Sequence, residues 1–150
     1  MLRGRVGVGH AVRMVEGLDV GELWAAAGVV SGFQIGAFTW RINRELEMAH
    51  RGERVWVPVA DWLNVAALVV TLLGVYAAGA LGLLPVQDSA LMFGWSVLLL
   101  ACWPFAMLGH YDLLGRNPRT TNRPPITGQE AGVVVGAGVL SLMFWVVAAL

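Results

Sequence analysis

Four stretches of the chain hold no charged residue: 23–40 (18 residues), 62–84 (23), 90–109 (20) and 131–150 (20). Arginine, aspartate, glutamate and histidine are confined to the segments around them. A hydrocarbon core about 30 Å thick is crossed by about 20 helical residues, and each stretch fits that length. The apolar runs are continuous rather than alternating, which selects helices over a β-barrel. The pattern predicts an all-α fold, an integral membrane bundle of four transmembrane helices. Residues 1–150 then form a single membrane domain, with an N-terminal tail at 1–22.

Helix-start signals stand at each boundary. Asp19-x-x-Glu22 precedes the first span, Asp61-x-x-Asn64 opens the second and Asp88-Ser89 opens the third. Thr127-x-x-Glu130 opens the fourth as a capping box, in which the two side chains reciprocally satisfy orphan N–H groups. Pro104, inside the third span, predicts a kink, with Ser96 or Cys102 accommodating the freed carbonyl. Residues 1–21 have no apolar core to serve as a signal peptide, since Arg13, Glu16 and Asp19 interrupt them. The first span is expected to act as an uncleaved anchor.

Composition agrees with the pattern. The chain is 57% hydrophobic and 13% charged, against about 45–50% and about 25% in a soluble domain. Ten arginines balance ten acids, so no net field recruits nucleic acid. The basic residues are all arginine, which together with the 19 glycines suggests a bacterial chain in the plasma membrane. Cys102 is the single cysteine, which excludes an intramolecular disulfide, a CxxC pair and a cysteine-based zinc site. The sequence predicts no metal and no cofactor. The loops at 41–61 and 110–130 carry seven arginines, and the N-terminal tail carries three. The positive-inside rule places both loops in the cytoplasm and both termini outside. Trp40, Trp56, Trp62 and Tyr111 then mark the cytoplasmic boundary, and Trp24 the opposite one.

Small residues recur every fourth position: Gly28, Gly32 and Gly36 in the first span, Gly74, Ala78 and Gly82 in the second, Gly132 and Gly136 in the fourth. Close backbone approach over small residues is what joins helices in lipid, so these positions are candidate packing seams. Ser31 and Gln34 lie nearly opposite the first-span glycines, at about 100° per residue. With Asn64 and Thr71 they form a candidate polar or pore-lining set. A helix-to-helix hydrogen bond is the plainer use of a buried amide.

His50, Asp61, His110 and Asp112 are candidate rim residues, with donor types suited to a metal but no spacing that fixes one. For Asp61 the plain reading is a helix N-cap. Residues 41–51 extend the first helix beyond the membrane, with Arg41/Glu45, Arg44/Glu47 and Glu47/Arg51 placed to pair along its surface. Arg116, Arg119 and Arg123 lie in a Pro- and Asn-rich loop suited to lipid headgroups or an acidic partner.

In length and span count the chain is similar to small four-helix membrane families. Among these are the membrane-associated glutathione and eicosanoid enzymes, whose loop after the first span carries Arg, His and Glu. Ala49-His50-Arg51-Gly52-Glu53 echoes that loop. That family's Asn and Glu at the start of the second helix have no counterpart, so no site is carried over. The expected function is a non-catalytic membrane subunit or partner-binding module assembled through glycine seams. Its partners would be the lipid bilayer and a second copy or another membrane protein. An oligomeric channel or transporter is the alternative, and a small enzyme using the rim residues is the third reading.

Overall fold

A computed structural model describes residues 19–52, 58–111 and 126–150. Among them are four helices and no strand. Helix α1 is Val20–His50, α2 is Val59–Ala80, α3 is Val86–His110 and α4 is Gly128–Ala148. Three of them, α2, α3 and α4, are long and apolar enough to cross a membrane. α1 is the longest at 31 residues. Its charge-free portion includes Ser31, Gln34 and Thr39, and it then runs on into the charged segment that begins at Arg41.

The helix starts differ from those expected. Asp19 occupies the N-cap of α1 without a side-chain capping bond. α2 starts at Val59 after Pro58, and α3 at Val86 after Pro85, so neither Asp61 nor Asp88 is a cap. Both prolines hold extended ψ angles, 149° and 155°, and end the incoming chain there. Both aspartates fall in the first helical turn, where negative charge complements the helix dipole. α3 runs unbroken through Pro104. The Ser96 hydroxyl donates to the Phe93 carbonyl at 2.8 Å, not to the carbonyl that Pro104 frees one turn back.

α2 contains a π-helical segment, Thr71–Ala77. At its entry Thr71 Oγ1 donates back to the Ala67 carbonyl at 3.0 Å, the bonding that loosens a helix locally. Within it Gly74 meets α3 closely: a Cβ there would lie 2.8 Å from Met92 Cβ. The helix ends on Gly82, whose φ is +66°. Leu83 N–H donates to the Ala78 carbonyl at 2.8 Å and Gly82 N–H to that of Gly79 at 3.2 Å, the Schellman arrangement that needs a left-handed residue. Gly82 therefore serves a turn, not a helix seam.

Polarity is distributed inside out. The two largest fully buried side chains are Gln34 and Glu130, while Val29, Phe33, Val135, Leu142 and Val147 are exposed. A helix surface in hydrocarbon is satisfied by apolar groups, and polar groups must turn inward. α3 is central, packing most extensively on α4 and α2. Ala60, Leu63, Ala67, Leu99, Ala106 and Ala137 form one core cluster. Leu23, Ala27 and Val75 form a second, bordered by Tyr76, Val86 and Phe93. α1 lies mainly along α2.

α3 and α4 approach most closely at Gly109, where a Cβ would lie 2.8 Å from the Glu130 nitrogen and 2.9 Å from the Gln129 carbonyl carbon. Both are main-chain atoms and neither helix can yield locally. Gly109→Ala is expected to cost about 1–3 kcal/mol, read as a lower unfolding temperature in detergent. Gly132→Ala, with nothing within 4 Å, should be neutral or stabilising through helix propensity. Equal melting of the two variants would refute the close crossing.

Candidate functional site

Antiparallel helices with short connections bring the end of α1, the start of α2, the end of α3 and the start of α4 to one rim. Glu130 is the centre of that rim. Its Oε1 accepts the Ala60 N–H at 2.8 Å and its Oε2 lies 3.0 Å from His110 Nδ1. Ala60 is the second residue of α2, so its N–H is one of the four that a helix start leaves without an intrahelical partner. The carboxylate thus sits where both that N–H and the α2 dipole favour it.

The capping box is half realised. Thr127 Oγ1 accepts the Glu130 N–H at 3.0 Å and donates to the Gly109 carbonyl at 2.7 Å. The reciprocal bond from the Glu130 side chain to its own N-cap is replaced by the reach to α2 and α3. Three helix ends are tied through two residues three positions apart, Thr127 and Glu130.

Beside this knot lies a second. Asp61 Oδ1 accepts the indole N–H of Trp103 at 3.2 Å. Asp61 Oδ2 is 3.7 Å from Arg41 Nε, and Arg41 also pairs with Glu45 one turn along α1. Arg41, Glu45 and His110 all lie within electrostatic reach of Asp61. Arg41 and Asp61 are almost fully buried. Arg44 places its guanidinium 4.6 Å from the centre of the Tyr111 ring, and Arg41 is 5.8 Å from it, both within cation–π range. The Tyr111 ring in turn meets the His110 ring edge-on at 5.2 Å. Arg51 pairs with Glu47 at 2.9 Å on the exposed end of α1.

The third part is the seam between α1 and α2. Asn64 Nδ2 donates to the Gln34 main-chain carbonyl at 3.4 Å. Among the described residues, both atoms of the Gln34 side-chain amide, Asn64 Oδ1 and Ser31 Oγ have no hydrogen-bond partner. At the opposite end of the bundle Tyr76 donates to the Trp24 carbonyl at 3.0 Å, and the two rings lie 6.1 Å apart.

Of the residues singled out from sequence, Ser31, Gln34, Asn64 and Thr71 are all buried. Thr71 is satisfied within α2. Asp61 and His110 come together with Glu130 at the rim, whereas His50 is exposed on the last turn of α1. Asp112, Arg116, Arg119 and Arg123 lie outside the described residues, as does the tail before Asp19. Gly74 packs on Met92 and Ala78 is buried, and a Cβ at Gly28 would lie 3.3 Å from the Tyr76 hydroxyl. At Gly32, Gly36, Gly132 and Gly136 an added Cβ would meet nothing within 4 Å. Among the described residues no group of three or more His, Cys, Asp or Glu is placed to hold a metal ion.

The sequence reading missed Arg41, Trp103 and the long reach of Glu130. Arg41 was expected along a helix surface. Its position seven residues after Gln34 puts it on the same helix face, about 20° away, which was the available signal. Nothing local marks Trp103 as the partner of Asp61.

Replacing Glu130 with Ala leaves the buried Ala60 N–H without its acceptor and removes the carboxylate that faces His110. Glu130→Ala is expected to lose about 2–4 kcal/mol and Glu130→Gln, which keeps an acceptor for Ala60, about half as much. Thermal unfolding followed by tryptophan fluorescence checks both, and equal stability of the Ala variant and the parent would disprove the tie. No protein-family profile, no curated protein and no solved structure matches this chain.

Proposed function

We propose that all four helices cross the bilayer and that the protein works as a non-catalytic membrane subunit, associating with a second copy of itself through the outer face of α1. The crossing of α1 is supported by its contacts with α2. It meets α2 at both ends, through Arg41 and Asp61 at the rim and Trp24 and Tyr76 at the opposite end. From Trp24 to Arg41 is about 25 Å at 1.5 Å per residue, close to the hydrocarbon thickness that α2 itself spans. The arginine-rich loops then face the cytoplasm of a bacterial cell and both termini face outside.

The observation that carries association is the division among the glycines. Gly74 and Gly109 are used for close approach inside the chain, while Gly32 and Gly36 face open space between exposed Val29, Phe33 and Ile35. The same spacing on α4, Gly132 and Gly136, is equally open. Small residues contribute to helix association only where a backbone comes close, and among the described residues nothing comes close to Gly32, Gly36, Gly132 or Gly136. An isologous pairing of α1 with α1 is the simplest closed arrangement.

A second reading, a small channel or transporter, is favoured by one observation: Ser31, Gln34, Asn64 and Thr71 share the buried side of α1 and α2.

Gly32→Leu and Gly136→Leu are the test of association. Gly32→Leu is expected to convert a dimer to a monomer, measured by light scattering in detergent and by photobleaching steps in lipid. Its unfolding temperature should not change, because no intrachain neighbour is disturbed. Dispersal by Gly136→Leu alone would move the interface to α4, and a monomeric parent in lipid would sink the proposal.

A further inference from the structure

The polar seam between α1 and α2 is independent of how the protein associates. An unpaired buried polar group costs about 1–3 kcal/mol, and three neighbouring residues, Ser31, Gln34 and Asn64, each carry at least one such atom. Their nearest plain explanation is a hydrogen bond bridging two helices. That bridge exists, but it runs from Asn64 to the main-chain carbonyl of Gln34. It leaves the Gln34 amide, both donor and acceptor, unused. A leucine at position 34 would fill similar space without that cost.

Ser31, Gln34 and Arg41 lie along one face of α1 within about 15 Å of helix length. Asn64 meets that face at the level of Gln34. At the rim end the stretch is bounded by Arg41 and Asp61, and at the other end by the apolar group Leu23, Ala27 and Val75. The free atoms are of both kinds: the Gln34 Nε2 and Ser31 hydroxyl donate, while Gln34 Oε1 and Asn64 Oδ1 accept. No charged residue lies among them, and at the rim end Arg41 is paired with Glu45 and Asp61. We propose that this seam is an internal binding site for small uncharged molecules that both donate and accept hydrogen bonds. Such a molecule can come from two sources, water itself or a small neutral solute of amide type.

A polar partner in the seam makes it a place where a thiol can ionise, and only the thiolate reacts with a methanethiosulfonate. Ser31→Cys, nearly isosteric, and Gln34→Cys are introduced singly into the full chain carrying Cys102→Ala, reconstituted in liposomes. Ala27→Cys, one turn away in the apolar group, and Val29→Cys, on the exposed face, are the comparisons. With methyl methanethiosulfonate, positions 31 and 34 are expected to react at least about tenfold faster than positions 27 and 29. Slowing of that reaction by acetamide identifies a site that takes neutral solutes, and a rate unaffected by acetamide identifies one held by water. Equal rates at positions 27, 29 and 31 would show the seam to be dry and overturn the proposal. Because Ser31→Cys preserves size and leaves the Gly32 face unaltered, that result is separable from any failure of dimerisation.

Discussion

The fold depends on one carboxylate placed where no water reaches it. Glu130 has to be satisfied by protein, and the groups that satisfy it come from three helices: the Ala60 N–H of α2, His110 of α3 and, through its own main chain, Thr127 of α4. A buried charge without partners is far more costly than a buried polar group, so the cluster forms completely or not at all. Gly109 is the steric condition for it, because only a residue without Cβ lets α4 start against the end of α3. The Ala60 contact also satisfies one of the N–H groups orphaned at the start of α2, in surroundings where solvent is not available to do so.

Once these ends are fixed, the remaining polar side chains have defined positions. Asp61 is one residue beyond Ala60 and therefore rim-bound, where it holds the Trp103 indole and faces Arg41. Arg41 in turn sets the register of α1 against α2, which brings Asn64 to the Gln34 carbonyl. α1 packs on the bundle through few apolar groups, namely Leu23 and Ala27. Its polar contacts consequently define its register more than its hydrophobic ones. With α1 across the bilayer, as proposed, that division is the expected one, since lipid competes for apolar contacts and not for hydrogen bonds.

How far the sequence reveals this differs residue by residue. The charge-free stretches disclose the helices because length and absence of charge are local properties. The inward set Ser31, Gln34, Asn64 and Thr71 is legible for the same reason, since a polar side chain within an apolar run has to find protein. The start of α2 was misplaced because Pro58 looks like a loop residue, whereas Asp61 looks like a cap. Thr127-x-x-Glu130 was recognised as a cap, and the Thr127 half of it forms. The Glu130 half depends on a helix that begins 70 residues earlier, and no local pattern contains that information. The sequence places Arg41 on the helix surface because a charged residue at the end of an apolar run ordinarily snorkels into the headgroups. Here Asp61 lies opposite and draws it inward.

The asymmetry between the two ends of the bundle follows from the same physics. At the Trp24 end the helices close with aromatic rings, one tyrosine hydroxyl and small aliphatic side chains, none of which needs a specific charged partner. At the rim, replacing the charged cluster with well-packed hydrophobic residues would in general be neutral or stabilising. What the charged cluster supplies beyond apolar packing is directional pairing, which joins α2, α3 and α4 through Glu130 and α1 to α2 through Arg41 and Asp61. The uncharged seam begins at that rim, below Arg41 and Asp61, and stops at Leu23 and Ala27.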